Sequence, residues 1–246
     1  MIETTYKSKF KKLIVSGCSF THNRIESSCT WANLLADLTG MEIVNLANSG
    51  AGNGHIANSL IMYLSRVKPD VDSTLIMTMW SGIDRTDWIV KQCKSIQHFN
   101  YKFLYDNYTE HYLVGAPQWG SKEFKNYFNL QSDKSFSVQS WLHFEALTNF
   151  LKFQKYTYRY TTFNDILYGN GMSNINFLKQ ITELDLSMDL TNWILTKEID
   201  SLGEFAIYHN ELIPNDGHPT LNAHERWTRE KLIPTLLQQK ILYDSI

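Results

Sequence analysis

The chain lacks an excess of either charge. Its 23 Lys and Arg nearly balance 25 Asp and Glu, a formal net charge of -2 over 246 residues, and no run of like charge breaks the mixture. Without a broad field to attract polyanions, nucleic-acid and membrane-surface roles are disfavoured. Cysteine is equally sparse. Cys18, Cys29 and Cys93 are odd in number and have no close paired spacing, which argues against a disulfide framework and against a structural zinc site. Long apolar runs are missing as well. After MIETTYKSKFKK only three apolar residues precede Ser16, too few for a signal-peptide core or a membrane span, so a cytoplasmic protein is expected. No repeat or linker divides the sequence. At 43% hydrophobic and 20% charged residues, residues 1–246 read as one globular α/β domain.

What is present is a regular alternation of elements. KKLIVSGCS (11–19) is apolar and ends at Gly17, as a buried parallel strand does. TWANLLADLTG (30–40) sets Trp31, Leu34, Leu35 and Leu38 at helical spacing, with Thr30 at the N-cap and Gly40 as the stop. EIVNLA (42–47) predicts a second strand, NSGAGNG (48–54) a glycine-rich loop, and Ile56, Leu60, Tyr63, Leu64 and Val67 one face of a second helix. STLIMTMW (73–80) predicts a third strand, followed by the polar loop SGIDRTD (81–87). Strands separated by helices imply βαβ crossovers and a parallel sheet, with the site at the carboxyl ends of the strands.

From 91 to 136 the pattern blurs into aromatic, Asn-rich and Lys-rich sequence, read as an irregular insertion or lid. Beyond it, VQSWLHFEALTNFLKFQ (138–154) predicts a helix and YTYRYTTF (156–163) a strand; 190–210 predicts one or two short helices. HPTLNAHERWTREKLIPTLLQQKIL (218–242) predicts a final helix opened by Pro219 and interrupted at Pro234. Aromatics make up 13% of the chain, and for Trp80 and Trp88 core packing outranks a sugar-stacking platform.

Three loops converge on one sheet edge. Ser19 follows strand one, Asn48 to Gly54 follow strand two, and Ser81 to Arg85 follow strand three; PNDGHPT (214–220) adds an acid and an imidazole before the last helix. A hydroxyl, an imidazole to take its proton, a carboxylate to hold the imidazole and N–H donors for an oxyanion are the parts of a serine esterase. Taken singly, each has a plainer reading. Ser19 is also an ordinary turn residue, His218 also a helix-cap neighbour, and NSGAGNG also a flexible or anion-binding loop, although it lacks the P-loop lysine and the full dinucleotide fingerprint.

In their joint order these blocks resemble the SGNH hydrolases, the GDSL-type esterases and lipases. Gly17-Cys18-Ser19 corresponds to the family's Gly-Asp-Ser, NLANSG (45–50) to its Asn-rich second block, SGIDR (81–85) to its Gly-x-Asn-Asp, and DGHP (216–219) to its Asp-x-x-His-Pro. The resemblance implies a three-layer α/β/α sandwich with a small parallel sheet, in the SGNH-hydrolase or flavodoxin-like arrangement. It implies a carboxylic ester hydrolase that removes short acyl groups, foremost acetyl, from a small-molecule or carbohydrate ester. Ser19 would be the nucleophile, His218 the base and Asp216 the third triad member, with Asn215 the alternative; the N–H groups of Ser19 and Gly50 would line the oxyanion hole, and no metal or organic cofactor is called for. Two departures stand out. Ile83 occupies the place of the oxyanion asparagine, for which Asn48, Asn53, Ser81 or Arg85 are candidate substitutes, with Asp84 a further substrate contact; and Asp216 lies two residues before the histidine instead of three. An acyltransferase with the same triad and a glycan-binding protein on a catalytically decayed scaffold are the alternatives.

Overall fold

A computed structural model describes residues 6–22, 30–91, 110–115, 122–169 and 175–244. In chain order the elements begin with a short strand β1 (Lys7–Ser8), then β2 (Lys12–Gly17), helix α1 (Trp31–Thr39), β3 (Glu42–Asn45), α2 (Asn53–Val67) and β4 (Thr74–Trp80). They continue with β5 (Thr86–Lys91), β6 (Glu110–Gly115), α3 (Lys122–Leu130), α4 (Asp133–Gln154), β7 (Thr157–Thr162) and α5 (Phe177–Thr182). A 3-10 turn (Glu198–Asp200), α6 (Leu202–Tyr208), α7 (Leu221–Trp227), a π turn (Thr228–Leu232), α8 (Ile233–Gln238) and β8 (Leu242–Tyr243) complete the order.

The main sheet is parallel, with strand order β3-β2-β4-β7. Its centre is buried on both faces and largely apolar: all seven residues of β4 and the last five of β2 are buried. The chain leaves β2 toward β3 on one side and returns to β4 on the other. With right-handed crossovers this reversal puts α1 on one face and α2 and α4 on the opposite one. The packing agrees, for α2 lies against α4 and α4 against α5, whereas α1 meets α7. The result is the expected α/β sandwich. A two-stranded ribbon of β1 and β8 joins the two ends of the described chain, Lys7 opposite Tyr243.

Local signals account for most boundaries. α1 stops where Gly40 takes a φ of 67° and its N–H bonds the Ala36 carbonyl. Ser132 caps α4 by accepting the Ser135 N–H, and Thr220 caps α7 by accepting that of Ala223. Pro219 therefore precedes α7 instead of opening it; it pairs with Leu212 in an isolated bridge. The final helix is broken into α7, the π turn and α8. Pro234 has no N–H to give to residue 230, so the winding loosens through 228–232 and the proline lands in the first turn of α8, where a missing N–H costs nothing.

The stretch read as an irregular insertion is more regular than its sequence suggests. β5 and β6 pair antiparallel, Thr86 opposite Gly115 through Lys91 opposite Glu110, and α3 follows. An isolated two-stranded ribbon has too few residues for a marked period, which is why it reads as noise. Residues 92–109 and 116–121 of that stretch lie outside the described residues. Trp80 is a core residue, with no exposure and its ring packed on Phe144, Tyr160 and Trp193.

At the carboxyl end of β2 the backbone turns back on itself. The Cys18 carbonyl accepts the N–H groups of Thr21 and His22, and the Thr21 side chain folds against Gly17. A β-carbon at position 17 would sit 2.8 Å from the Thr21 Cβ and 3.1 Å from the Met79 carbonyl oxygen. Gly17→Ala is expected to cost about 1–3 kcal/mol, read as a lower urea midpoint at unchanged m-value.

Candidate active site

Register brings the pieces together. Gly17 lies opposite Met79 on neighbouring strands, so the turn bearing Ser19 and the loop beginning at Ser81 leave the same edge side by side. The edge is also the point where the strand order reverses, the usual crevice of an open α/β sheet.

Two loops far apart in sequence complete the arrangement. His218 Nε2 lies 2.7 Å from Ser19 Oγ, and His218 Nδ1 lies 2.8 Å from Asp216 Oδ1. The loop carrying the acid and the imidazole closes through the Ile213 N–H on the His218 carbonyl. Within it Gly217 takes a φ of 71°, which turns the chain sharply enough for Asp216 to reach back to the ring beside it. The shortened spacing thus still delivers a carboxylate, and it is Asp216, not Asn215, that meets the imidazole. Asn215 itself stands in the left-handed region at φ 63° and is exposed. The constellation opens to solvent, with 46% of the Asp216 side chain and 23% of that of His218 exposed. Phe20 is buried, packs at 5.4 Å against the His218 ring and meets Phe163 edge-on at 5.1 Å.

The second loop sits beside Ser19 by a direct bond. The Asn48 N–H donates to the Gly17 carbonyl, and the Ala51 N–H closes a turn onto the Asn48 carbonyl. Gly50 occupies the third position of that turn at φ 78°, where a type II turn demands glycine. Among the described residues the backbone N–H groups of Ser19 and Gly50 have no internal acceptor. The Asn48 side chain accepts the Ser49 N–H through Oδ1.

The remaining candidates are placed differently. Asn53 is buried, and its amide donates to the Ser81 carbonyl and the Ser140 hydroxyl while its oxygen accepts the Ser81 N–H. Its polar atoms are committed inside the protein, so Asn53 is withdrawn as an oxyanion donor. Ser81 is fully buried behind it, its N–H taken by Asn53, and its burial withdraws it as an oxyanion donor. Ile83 belongs to the core at 2% exposure. Asp84 folds back toward Gly82, and burial raises its pKa against the opposing pull of Arg85. The Arg85 guanidinium lies over the Phe163 ring at 5.4 Å, two aromatic rings from His218. The Trp88 side chain lies outside the described residues.

Three neighbours were not singled out from the sequence. His22 bonds the Ala47 carbonyl through Nδ1 at 3.0 Å, so that nitrogen carries the proton. His224 is buried and accepts the Trp31 N–H on Nδ1; burial, with a further contribution from His218, pushes its pKa down to about 4. Asp87 accepts the N–H groups of Gly52 and His55 at 2.9 and 2.8 Å, yet burial still raises its pKa to about 6. A histidine one turn before the final helix loosens and an acid beside a strand start carry no local signature. The Asp87 carboxylate also fills the N-terminus of α2, so the anion-binding reading of NSGAGNG has its anion inside the chain. Among the described residues no cluster of three or more His, Cys, Asp or Glu could hold a metal, and no helix is long and apolar enough to cross a membrane.

Similar proteins locate the fold. No family model and no curated protein matches the chain. Among solved structures, TesA superposes with a TM-score of 0.51 at 13% identity, covering 92% of this chain and 97% of that one. The psychrotrophic esterase EstA from Pseudoalteromonas sp. gives 0.47 at 12% identity, over 94% and 98% of the two chains. A member of the lipolytic G-D-S-L family from Veillonella parvula gives 0.46 at 9%, over 92% and 98%. The chain has the α/β sandwich fold that it shares with TesA.

The buried imidazoles set the pH dependence of stability. His55 and His224, each lowered from 6.5 to about 4, contribute stability that is full above pH 6.5 and lost as pH falls toward 4, about 3 kcal/mol apiece. Asp87, raised from 3.8 to about 6, works the other way: its contribution is full below 3.8 and is lost as pH rises through 6. The two histidines outweigh the one aspartate. Stability by urea denaturation is expected to drop by about 3 kcal/mol from pH 7 to pH 4, and His224→Gln to remove most of that drop.

Proposed function

We propose that the chain is a serine hydrolase of carboxylic esters, acting on short acyl esters, foremost acetyl, of small molecules or carbohydrates. The observation that carries the reading is the hydrogen-bonded series Ser19 Oγ, His218 Nε2, His218 Nδ1 and Asp216 Oδ1, assembled from two loops almost two hundred residues apart. Nothing in packing requires a serine, an imidazole and a carboxylate to line up at a solvent-exposed strand end. The shared fold with TesA and the block-by-block resemblance to the SGNH hydrolases point the same way.

In this reading His218 Nε2 takes the Ser19 proton as Oγ attacks the acyl carbon. The charge that builds on the imidazole is met by Asp216 at Nδ1, which also fixes the tautomer that leaves Nε2 free to accept. The tetrahedral oxyanion is held by the N–H groups of Ser19 and Gly50. His218 then passes its proton to the leaving alcohol, and water, activated by the same nitrogen, releases the acid from Ser19. Neutral, buried His224 beside His218 matters here: a second cation would oppose the imidazolium.

One observation favours a second reading. Ile83 is buried where an SGNH hydrolase would present an asparagine, as expected of a glycan-binding protein that has lost catalysis. Activity separates the two. A fluorophosphonate should label Ser19 in the wild type and leave Ser19→Ala unlabelled, and His218→Ala should lower turnover of p-nitrophenyl acetate by roughly 1,000-fold or more. Equal rates in wild type and His218→Ala would sink the hydrolase reading. Acyl transfer to an added sugar in preference to water would identify an acyltransferase with the same triad.

A further inference from the structure

The helix α2 has no cap of its own. Its N-cap is Gly52, which has no side chain to offer, and no acidic residue stands in its first turn. The capping carboxylate comes instead from Asp87 at the start of β5, Oδ1 on the Gly52 N–H and Oδ2 on the His55 N–H. The chain is shaped to admit it. A β-carbon on Gly52 would lie 2.7 Å from Asp87 Oδ2, and one on Gly54 would lie 3.2 Å from the same oxygen and 3.0 Å from His143 Nε2. Both glycines thus keep the first turn bare for groups arriving from β5 and α4.

Gly52 is also where the turn bearing Gly50 ends. That turn is pinned at its entry by the Asn48 N–H on the Gly17 carbonyl, two residues from Ser19, and at its exit by the Gly52 N–H on Asp87. Between the pins lie only Ser49, Gly50 and Ala51. We propose that Asp87 is a positioning residue for ester hydrolysis, holding the Gly50 N–H in place toward the oxyanion formed at Ser19. The inference rests on the hydrolase reading above. A local Ser or Asp at position 52 would cap the helix equally well but would leave the turn untied to the neighbouring strand. The remote cap couples the loop after β3 to the loop after β4, across the crevice in which Ser19 stands.

The arrangement is held against a cost. The carboxylate takes the backbone N–H groups at the start of α2, shares the space over Gly54 with His143 from α4, and feels the charge of Arg85 from the loop before β5; burial raises its pKa to about 6, while Arg85 and the backbone N–H groups pull it down. The imidazoles of His55 and His143 are kept toward their neutral forms by burial. Protonation below pH 6 would turn one acceptor oxygen into a donor facing an N–H. Turnover should then fall as Asp87 takes up a proton.

Asp87→Asn tests this, because it preserves shape and replaces one acceptor by an amide. At pH 8 with p-nitrophenyl acetate, kcat is expected to fall roughly 10- to 100-fold with KM within about twofold, since an oxyanion contact acts in the transition state only. The profile of log kcat against pH should carry an inflection near pH 6 in the wild type that is missing from the variant. Melting temperature at pH 8 should not fall in step with kcat, because the raised pKa means that the ionised group costs native stability there. Gly52→Ala, which displaces the carboxylate without removing its charge, should reproduce the loss of kcat. Wild-type kcat with the inflection near pH 6 retained in Asp87→Asn, or a loss that only tracks the folded fraction, would overturn the positioning role while Ser19→Ala remained inactive. Turnover surviving in Ser19→Ala would instead overturn the hydrolase reading on which it rests.

Discussion

The carbonyl of Gly17 is the fixed point of the site. It ends the first strand of the parallel sheet, accepts the N–H of Asn48 from the loop after β3, and lies in register with Met79 on β4. Two residues on, the same chain presents Ser19. Because the sheet reverses its order at this strand, loops from both neighbours must pass the Gly17 end, and no other strand has that property. The absent β-carbon at 17 is what permits Thr21 to tuck underneath and close the turn. The turn bearing Ser19 and the loop bearing Gly50 therefore share one backbone anchor, and their relative position does not depend on flexible side chains.

How much of this is legible from sequence follows the range of the physics involved. The central strands β2 and β4 announce themselves because two-sided burial favours long apolar runs, β7 is legible from its β-branched and aromatic residues, and Gly40 marks the end of α1 because only a left-handed residue finishes it cleanly. The serine, the NSG turn and the DGHP loop are legible because backbone geometry at strand ends and helix starts is local. What stays hidden is tertiary. The capping of α2 by Asp87 joins residues more than thirty apart, and nothing around Gly52 or Asp87 foretells it. The β5 and β6 ribbon is hidden for the opposite reason, being too short to impose a period.

The choice between Asp216 and Asn215 shows the boundary between the two kinds of information. Residue chemistry favours the carboxylate, since only it stabilises an imidazolium. Whether a spacing of two can place it is a question of backbone, answered by the left-handed Gly217 between acid and imidazole. The price of the shorter link is exposure: the carboxylate is nearly half open to water. A solvated carboxylate holds its partner less strongly than an enclosed one, so orientation of His218 must lean on other contacts. Phe20 against the ring, backed by Phe163, supplies one.

Ile83 changes meaning in this setting. Its loop is bolted inward by Asn53, which spans Ser81 and the Ser140 hydroxyl on α4, and its side chain helps fill the core. An asparagine there would have to leave an apolar environment to reach Ser19, or remain buried at a desolvation cost. The position is structural in this chain. In the proposed hydrolase reading, oxyanion stabilisation would fall on backbone N–H groups, whose placement is only as good as the turn that carries them. A turn with one end on Gly17 and the other on a buried carboxylate is stiffer than one ending in solvent. Under the proposed reading, that stiffness would let a site with one side-chain donor fewer keep a defined oxyanion geometry.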